Sequence, residues 1–448
     1  MRKTISAVLA LLIILSTFVF GFTANAATYP PDVALYSKAY MLINLDDETH
    51  PVVAEKNADE RLYPASLTKI VTAMVTLQNV ADLSVQVEVS KQAHDILLGT
   101  GAQVAGLKIG DVLTVEELLY LTMVHSACDA TEVLAEYVGG TRYEFVKMMN
   151  AYAASLGCTD TNFENPDGLH DDNHYTTASD MAVITLDALK NEMFNKISET
   201  VEYKFRDTKF YHTNLMLRSG YLSYYYEYAK GIKTGSTEQA GYCVIAKASK
   251  DGYNYLAVVM GAPVIDYNKD GYVEKCSFID AASLFKWAFN SLKYSTLAEQ
   301  NEVLSEVAVK NGKDADSVQL VAKRDLTVIV PSSLDKSTII VEPIDKPEEI
   351  SAPVAQGETV CKANIIYADQ VVGTVELVAA KDVELSTFLK VINAVKSFFS
   401  LTIVKIVIIA VVLFAVVYAV LVYNNYKKKK KRRNEREYIY YDEQNNNK

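Results

Sequence analysis

Three observations predict an α+β fold for this 448-residue chain. Two short apolar runs, residues 39–45 and 51–55, stand near the start, joined by the polar turn Asp46-Asp47-Glu48-Thr49. A long middle stretch then carries apolar residues at helical spacing together with helix-start and helix-stop signals. After Lys230 the text becomes β-like again, with Lys250-Asp251-Gly252 between the apolar runs 242–248 and 253–260. Asp-Gly between two such runs is a strong hairpin signal. Strands at both ends of a domain with a helical middle indicate α+β.

The elements follow in order. Residues 1–26 read as a signal peptide, with Arg2 and Lys3 as the basic start, 7–22 as the apolar stretch and Ala24-Asn25-Ala26 as the cleavage site. No Cys stands near that site, which argues against a lipoprotein anchor. Past the first two strands, Leu67, Ile70, Val71, Met74 and Val75 form a stripe that predicts a buried helix face. Pro64 suits the entry, and neither Gly nor Pro interrupts the segment through Asn79. Thr114-Val115-Glu116-Glu117 is a capping-box pattern ahead of Leu118, Leu119 and Leu121. A second helix, about 129–137, stops at Gly139-Gly140, and Ser126 lies in the break between the two. Further helices are expected over 142–156, 178–190 and 279–292, the last holding the only tryptophan, Trp287.

From about 300 to 385, short apolar segments at 317–321, 326–330, 339–341 and 371–377 are punctuated by Pro and Gly, which favours a small β-sandwich. A short helix is expected over 385–400. Residues 406–422 then have the Tyr418 hydroxyl as their only polar side-chain group, close to the ~20 residues that span a bilayer. Lys405 can snorkel at one end. Lys427 to Arg433 are consecutive basic residues, which places the tail in the cytoplasm and the bulk outside. The expected domains are a signal peptide 1–26, a catalytic domain 27–295, a β-sandwich 300–385, a connector 386–400, a transmembrane helix 401–423 and a basic tail 424–448.

The chemistry begins with Ser66-Leu67-Thr68-Lys69. On a helix, residues three apart project from one side, so hydroxyl and amine can meet. A serine needs a neighbouring base to act as a nucleophile. A lysine is such a base only when neutral, which burial or a nearby positive charge brings about. Alone the spacing is weak and fits a helix start with a solvated lysine. Two companions strengthen it: Ser126-Ala127-Cys128 and Lys233-Thr234-Gly235 follow in order. This three-part signature is shared by penicillin-binding proteins and class A β-lactamases.

With 58–61, 165–169 and 174–178 in support, residues 35–385 resemble the low-molecular-mass penicillin-binding proteins, which are D-alanyl-D-alanine carboxypeptidases. The resemblance implies a β-lactamase/transpeptidase-like catalytic domain, an antiparallel sheet flanked by helices with a helical subdomain carrying Ser66 and Ser126. It implies Ser66 as the acyl-ester nucleophile, Lys69 as proton acceptor and Ser126 as proton relay. Lys233, Thr234, Ser236 and Cys128 would contact substrate, and backbone N–H groups of Ser66 and Ser236 would form an oxyanion hole. The implied partners are peptidoglycan stem peptides ending in D-Ala-D-Ala, with β-lactams as inhibitors, and no metal or other cofactor. One residue departs from the pattern. The family's middle motif ends in Asn, where this chain has Cys128, a weaker donor and acceptor.

Charge and cysteine usage bound the remaining classes. The whole chain carries −11, residues 1–26 carry +2 and 427–448 carry +5, leaving about −18 between them. So acidic a body is a poor candidate for binding nucleic acid or anionic lipid, and a substrate carboxylate must be met by local cations. Five scattered cysteines show neither zinc-site nor disulfide spacing, so most are expected to be small buried hydrophobes. Asp266 to Gly271 matches half a calcium loop but has Ser277 where the bidentate Glu belongs. His170 and His174 with Asp171 and Asp172 lack an evident third metal ligand. A His125–Cys128 nucleophile pair has nothing to orient its imidazole. Two rivals to the carboxypeptidase stay open: a β-lactamase, and a non-catalytic or very slow penicillin-sensing or wall-binding protein.

Overall fold

The computed structural model describes residues 27–445 apart from 267, 268, 270 and 272, and only the backbone of 435–445. The proposed signal peptide and part of the calcium-like loop therefore lie outside the described residues. By contact density the chain divides into two units. One runs to Leu297 and includes Thr327–Ile340 and Ile365–Gly373; the other comprises Ala298–Leu326, Val341–Asn364 and the remainder from Thr374.

The first unit is α+β. Its sheet contains β1 (Ala39–Asn44), β2 (Val52–Lys56), β3 (Ala229–Thr237), β4 (Gly241–Lys250) and β5 (Tyr253–Ala262), in the spatial order β2-β1-β5-β4-β3. Every pairing is antiparallel. All six residues of β1 are buried, as are the last eight of β5, so these strands are covered on both faces. The hairpin signal at Asp251-Gly252 joins β4 to β5, with Asp251 at φ 51° and Gly252 at φ 85°.

The helical part is built around α1 (Lys69–Asn79), which packs against α2 (Val115–Val124), α3 (Cys128–Gly139), α4 (Arg142–Ser155) and α5 (Ala178–Ala188). Leu67, Ile70, Val71, Met74 and Val75 are all buried, as the stripe predicts. Burial of each such side chain stabilises by about 1.5–3 kcal/mol. Thr114 forms the expected capping box with Glu117 at the start of α2. Gly140 ends α3 in the left-handed region at φ 71°. Helix α6 (Cys276–Ser291) lies on β4 and β5, while α5 packs on β1 and β5.

The later residues include an all-β domain. Its six-stranded sheet runs, by residue number, 340–344, 359–367, 370–379, 317–322, 303–310 and 349–351; strand 317–322 pairs antiparallel with 370–379 and with 303–310, which pairs parallel with 349–351. A helix spans Thr387–Ser400, where a short helix is expected. The final helix, Thr402–Asn445, contains one stretch, Thr402–Asn434, long and apolar enough to cross a membrane.

Candidate active site

Three segments distant in sequence converge on one cavity of about 490 Å³. The first precedes α1. Ser66 stands not on the α-helix, as its spacing predicts, but in a single 3₁₀ turn, Ala65–Thr68; Lys69 opens the helix itself. Ala65 at φ 47° sets this tighter entry. The two side chains still meet: Lys69 Nζ is 3.0 Å from Ser66 Oγ, and it donates to the Asp167 carbonyl at 2.5 Å and to Cys128 Sγ at 3.3 Å. Ser66, Asp167 and Cys128 are thus the three partners of the Lys69 amine.

The second segment is the break between α2 and α3. Ser126, at φ 61°, is held in the left-handed region, and Cys128 is the first residue of α3. The backbone N–H of Cys128 donates to the Gln103 carbonyl at 2.8 Å. Just behind, the Asp129 carboxylate accepts N–H bonds from Ala105, Gly106 and Leu107 at 2.9, 2.8 and 2.9 Å, tying the 100–107 loop to the site. Sequence reasoning missed Asp129, although its place directly after the motif was the available signal.

The third segment is β3. Lys233 Nζ donates to Ser126 Oγ at 2.8 Å and to the Thr234 carbonyl at 2.9 Å. Thr234 Oγ1 donates to Thr213 Oγ1 at 2.7 Å. A Cβ on Gly235 would lie 2.7 Å from the Pro64 carbonyl oxygen and 3.0 Å from the Ser66 nitrogen, so only glycine lets the strand approach the Ser66 turn this closely. The loop carrying Asp167 closes against the same turn. Gly168 has φ +81°, and a Cβ there would stand 1.9 Å from the Ala65 carbonyl oxygen.

Of the seven residues expected from sequence, Ser66, Ser126, Cys128, Thr234 and Ser236 line the cavity. Lys69 and Lys233 are fully buried. Burial first, and then Lys69, pull Lys233 well below the usual lysine range, against a smaller opposing effect of Cys128. Burial pushes the Cys128 thiol up, against the pull of Lys69.

The remaining sequence candidates lie elsewhere in this architecture. His174 is buried and meets Thr68 Oγ1 at 2.8 Å, and its Nδ1 accepts from Glu164 N at 3.3 Å. Thr68 Oγ1 donates to the Ala65 carbonyl, so His174 Nε2 carries the proton and the ring is neutral. Burial accordingly lowers its pKa to about 4. His170 packs edge-on against Tyr63, and the His125 ring packs against Phe210.

Residues 23–264 match the family model for D-alanyl-D-alanine carboxypeptidase, and 293–385 match that for the penicillin-binding protein 5 C-terminal domain. The chain is 30% identical to the D-alanyl-D-alanine carboxypeptidase DacF of Bacillus subtilis, over 80% of its own length and 88% of that protein. It is 31% identical to the D-alanyl-D-alanine carboxypeptidase DacC of Escherichia coli, over 77% and 83% of the respective chains. Among solved structures it resembles penicillin-binding protein 5 from Haemophilus influenzae, with a TM-score of 0.58, 27% identity and coverage of 80% of this chain and 100% of that one. A serine and a buried lysine in contact, set in a fold and a sequence of this kind, place the chain in the D-alanyl-D-alanine carboxypeptidase family.

Proposed function

We propose that this protein is a serine-type carboxypeptidase that removes the terminal D-alanine from peptidoglycan stem peptides through an acyl-enzyme on Ser66. The observation that carries the reading is the 3.0 Å approach of Lys69 Nζ to Ser66 Oγ at the wall of a cavity. Ser66 Oγ attacks the carbonyl carbon of the penultimate D-alanine while its proton passes to Lys69 Nζ. The developing oxyanion is met by backbone N–H groups of Ser66 and Ser236. Ser126 Oγ gives its proton to the departing D-alanine nitrogen as the C–N bond breaks and recovers the one that Lys69 took, so that Lys69 is neutral again, while Lys233 donates to Ser126 Oγ at 2.8 Å. Lys233 and the Thr234 hydroxyl take the substrate's terminal carboxylate, whose charge favours the protonated form of a lysine that burial otherwise discourages. Water then attacks the acyl-ester, its proton passing to Lys69 and from there to Ser66 Oγ as the ester bond breaks, and the shortened peptide is released. A β-lactam acylates Ser66 by the same attack on its strained amide.

In this reading residues 1–26 are a signal peptide, 27–295 the catalytic domain and 300–385 a β-sandwich that raises the site from the membrane. The connector is 386–400, the single span is 401–423, and the basic tail 424–448 faces the cytoplasm. Cys128 in place of the family's Asn favours a second reading, a penicillin-sensing protein with lost turnover. Incubation with a labelled penicillin and, separately, with a D-Ala-D-Ala peptide tests both. Labelling with release of D-alanine supports the carboxypeptidase, labelling alone supports the sensor, and absence of labelling sinks both.

A further inference from the structure

Beside β3 runs a segment that has no part in the proposed reaction. Residues 212–214 lead from a hairpin strand, Thr208–Tyr211, into a single 3₁₀ turn, Leu215–Leu217. Side chains alternate in direction along such extended backbone. His212 and Asn214 are fully buried, whereas Thr213 between them lines the same cavity as Ser66, Ser126 and Thr234. The backbone on either side is held firmly. Asn214 Nδ2 donates to the Gly231 carbonyl at 2.6 Å, two residues before Lys233 on β3, and Asn214 N donates to His212 Nδ1 at 2.9 Å. The N–H of His212 donates to the Val201 carbonyl at 2.8 Å. Thr213 N itself donates at 3.1 Å to the carbonyl of Val124, the last residue of α2 and two residues before Ser126. Thr213 is therefore tied both to the Lys233 strand and to the Ser126 turn. Its side chain meets that of Thr234, whose hydroxyl donates to Thr213 Oγ1 at 2.7 Å. Two hydroxyls bring two protons, and one lies between the oxygens. The other, on Thr213, has no protein acceptor among the described residues.

We propose that Thr213 is a specificity-determining residue: its hydroxyl and that of Thr234 form one linked pair that, with Lys233, takes the terminal carboxylate of the ligand. In the arrangement seen, Thr234 donates to Thr213, and Thr213 offers the remaining proton to the carboxylate. Rotation of both hydroxyls reverses the link and presents the Thr234 proton, now with Thr213 as its donor. In either sense one threonine donates to the carboxylate and accepts the proton of the other. That second hydrogen bond polarises the hydroxyl that meets the charge. A neutral ester or amide gains much less from such a donor, so the pair selects for a free carboxylate.

This inference rests on the acyl-enzyme reading and deepens it. It is tested on the full chain in detergent, as wild type, Thr213→Val, Thr213→Ala and Thr213→Ser. The readout is the second-order rate constant for acylation of Ser66 by a penicillin labelled on its side chain, and by the methyl ester of the same compound. Labelling of wild-type Ser66 upholds the acyl-enzyme reading whatever the variants do, and its absence sinks both. Val keeps the shape of Thr without the hydroxyl. With it the constant for the free acid should fall roughly 3- to 10-fold, the scale of one net hydrogen bond, while that for the ester stays within about 1.5-fold. Thr213→Ala, which places no added methyl against Thr234, should show the same acid-selective loss and is read in its place if the Val variant does not fold. Thr213→Ser restores the hydroxyl and should return the acid constant to within about 2-fold of wild type. A merely structural Thr213 would slow acid and ester alike. An equal loss on both compounds, an unchanged acid constant in the Val and Ala variants, or a Ser variant as slow as Val overturns the proposal.

Discussion

At the scale of single residues, the site was legible because the three motifs are made of residue types with few other reasons to recur in that order. The sequence could not reveal that Lys69 and Lys233 would be fully buried, because that depends on packing between α1, α3, β3 and a distant loop. Ser66→Ala should abolish covalent labelling by penicillin without unfolding the domain, and mass spectrometry locating the adduct on another residue would refute the assignment. Lys69→Ala should slow acylation by at least ~100-fold, the usual cost of losing a positioned base. Cys128 stands against Lys69 at 3.3 Å, at the position where the motif resemblance leads one to expect Asn. Cys128→Asn should raise turnover roughly 2- to 10-fold, since one neutral hydrogen bond is worth about 0.5–1.5 kcal/mol. Lower turnover at unchanged melting temperature would instead mean that the pocket is adapted to sulfur. Acid stability is set partly by histidines. The folded-state pKa values of His174 and His212, about 4 and about 3, lie below the ordinary 6.5, so the unfolded chain binds more protons between those limits. Stability from these residues is present above pH 6.5 and is lost as the pH falls. Glu132 acts oppositely between 4.5 and about 8, so the informative comparison is between proteins rather than between pH values. His174→Gln should show a shallower loss of melting temperature from pH 6.5 to 5 than wild type, and an identical slope would contradict the neutral buried imidazole.

Among secondary-structure elements, those with local punctuation were readable. The capping box at Thr114, the stop at Gly140 and the Asp251-Gly252 hairpin each came from short-range backbone chemistry. Missed were the hairpin of Glu202–Phe205 with Thr208–Tyr211, whose turn lacks an Asn-Gly or Asp-Gly signal, and the short helix Glu192–Ser198, whose Asn191 cap opens only seven residues. Strand β3 is the instructive case. Gly231, Gly235 and Ser236 weaken it as a strand by propensity, and its reason for being one is tertiary: β4 pairs along it and the Ser66 turn presses on Gly235. Gly235→Ala tests that contact. The new methyl would meet backbone atoms of Pro64, Ser66 and Leu67 rather than a flexible side chain, so either the strand or the turn must move. Acylation should fall roughly 10- to 100-fold, the scale of an ångström-sized displacement in a catalytic array. Wild-type labelling kinetics in this variant would show that the approach is looser than the geometry requires.

Over the whole molecule, the strongest sequence signal outside the motifs is the partition of charge and hydropathy. The body between residues 27 and 426 carries about −18, whereas Lys427 to Arg433 are all basic and directly follow the apolar stretch. Such an arrangement orients a span with its basic flank in the cytoplasm. The acidic body has no long-range attraction for an anionic substrate, so in the proposed reading the terminal carboxylate falls to Lys233 and Thr234 at short range. Thr402–Asn434 is the one helix among the described residues that is long and apolar enough to cross a membrane, and its apolar side chains stand exposed. A helix of this kind inserts in an effectively irreversible way. Deleting residues 398–448 should therefore move the protein from the membrane pellet to the soluble fraction, with penicillin labelling of Ser66 retained. Persistence in the pellet would shift the anchor upstream, to the helix Thr387–Ser400. That helix exposes Phe388 and Val391, at 72% and 62%, and bears Lys390 and Lys396, the composition of a segment lying in the membrane interface. A second deletion beginning at residue 386 separates the two anchors: if the span alone holds the protein, both truncations are equally soluble.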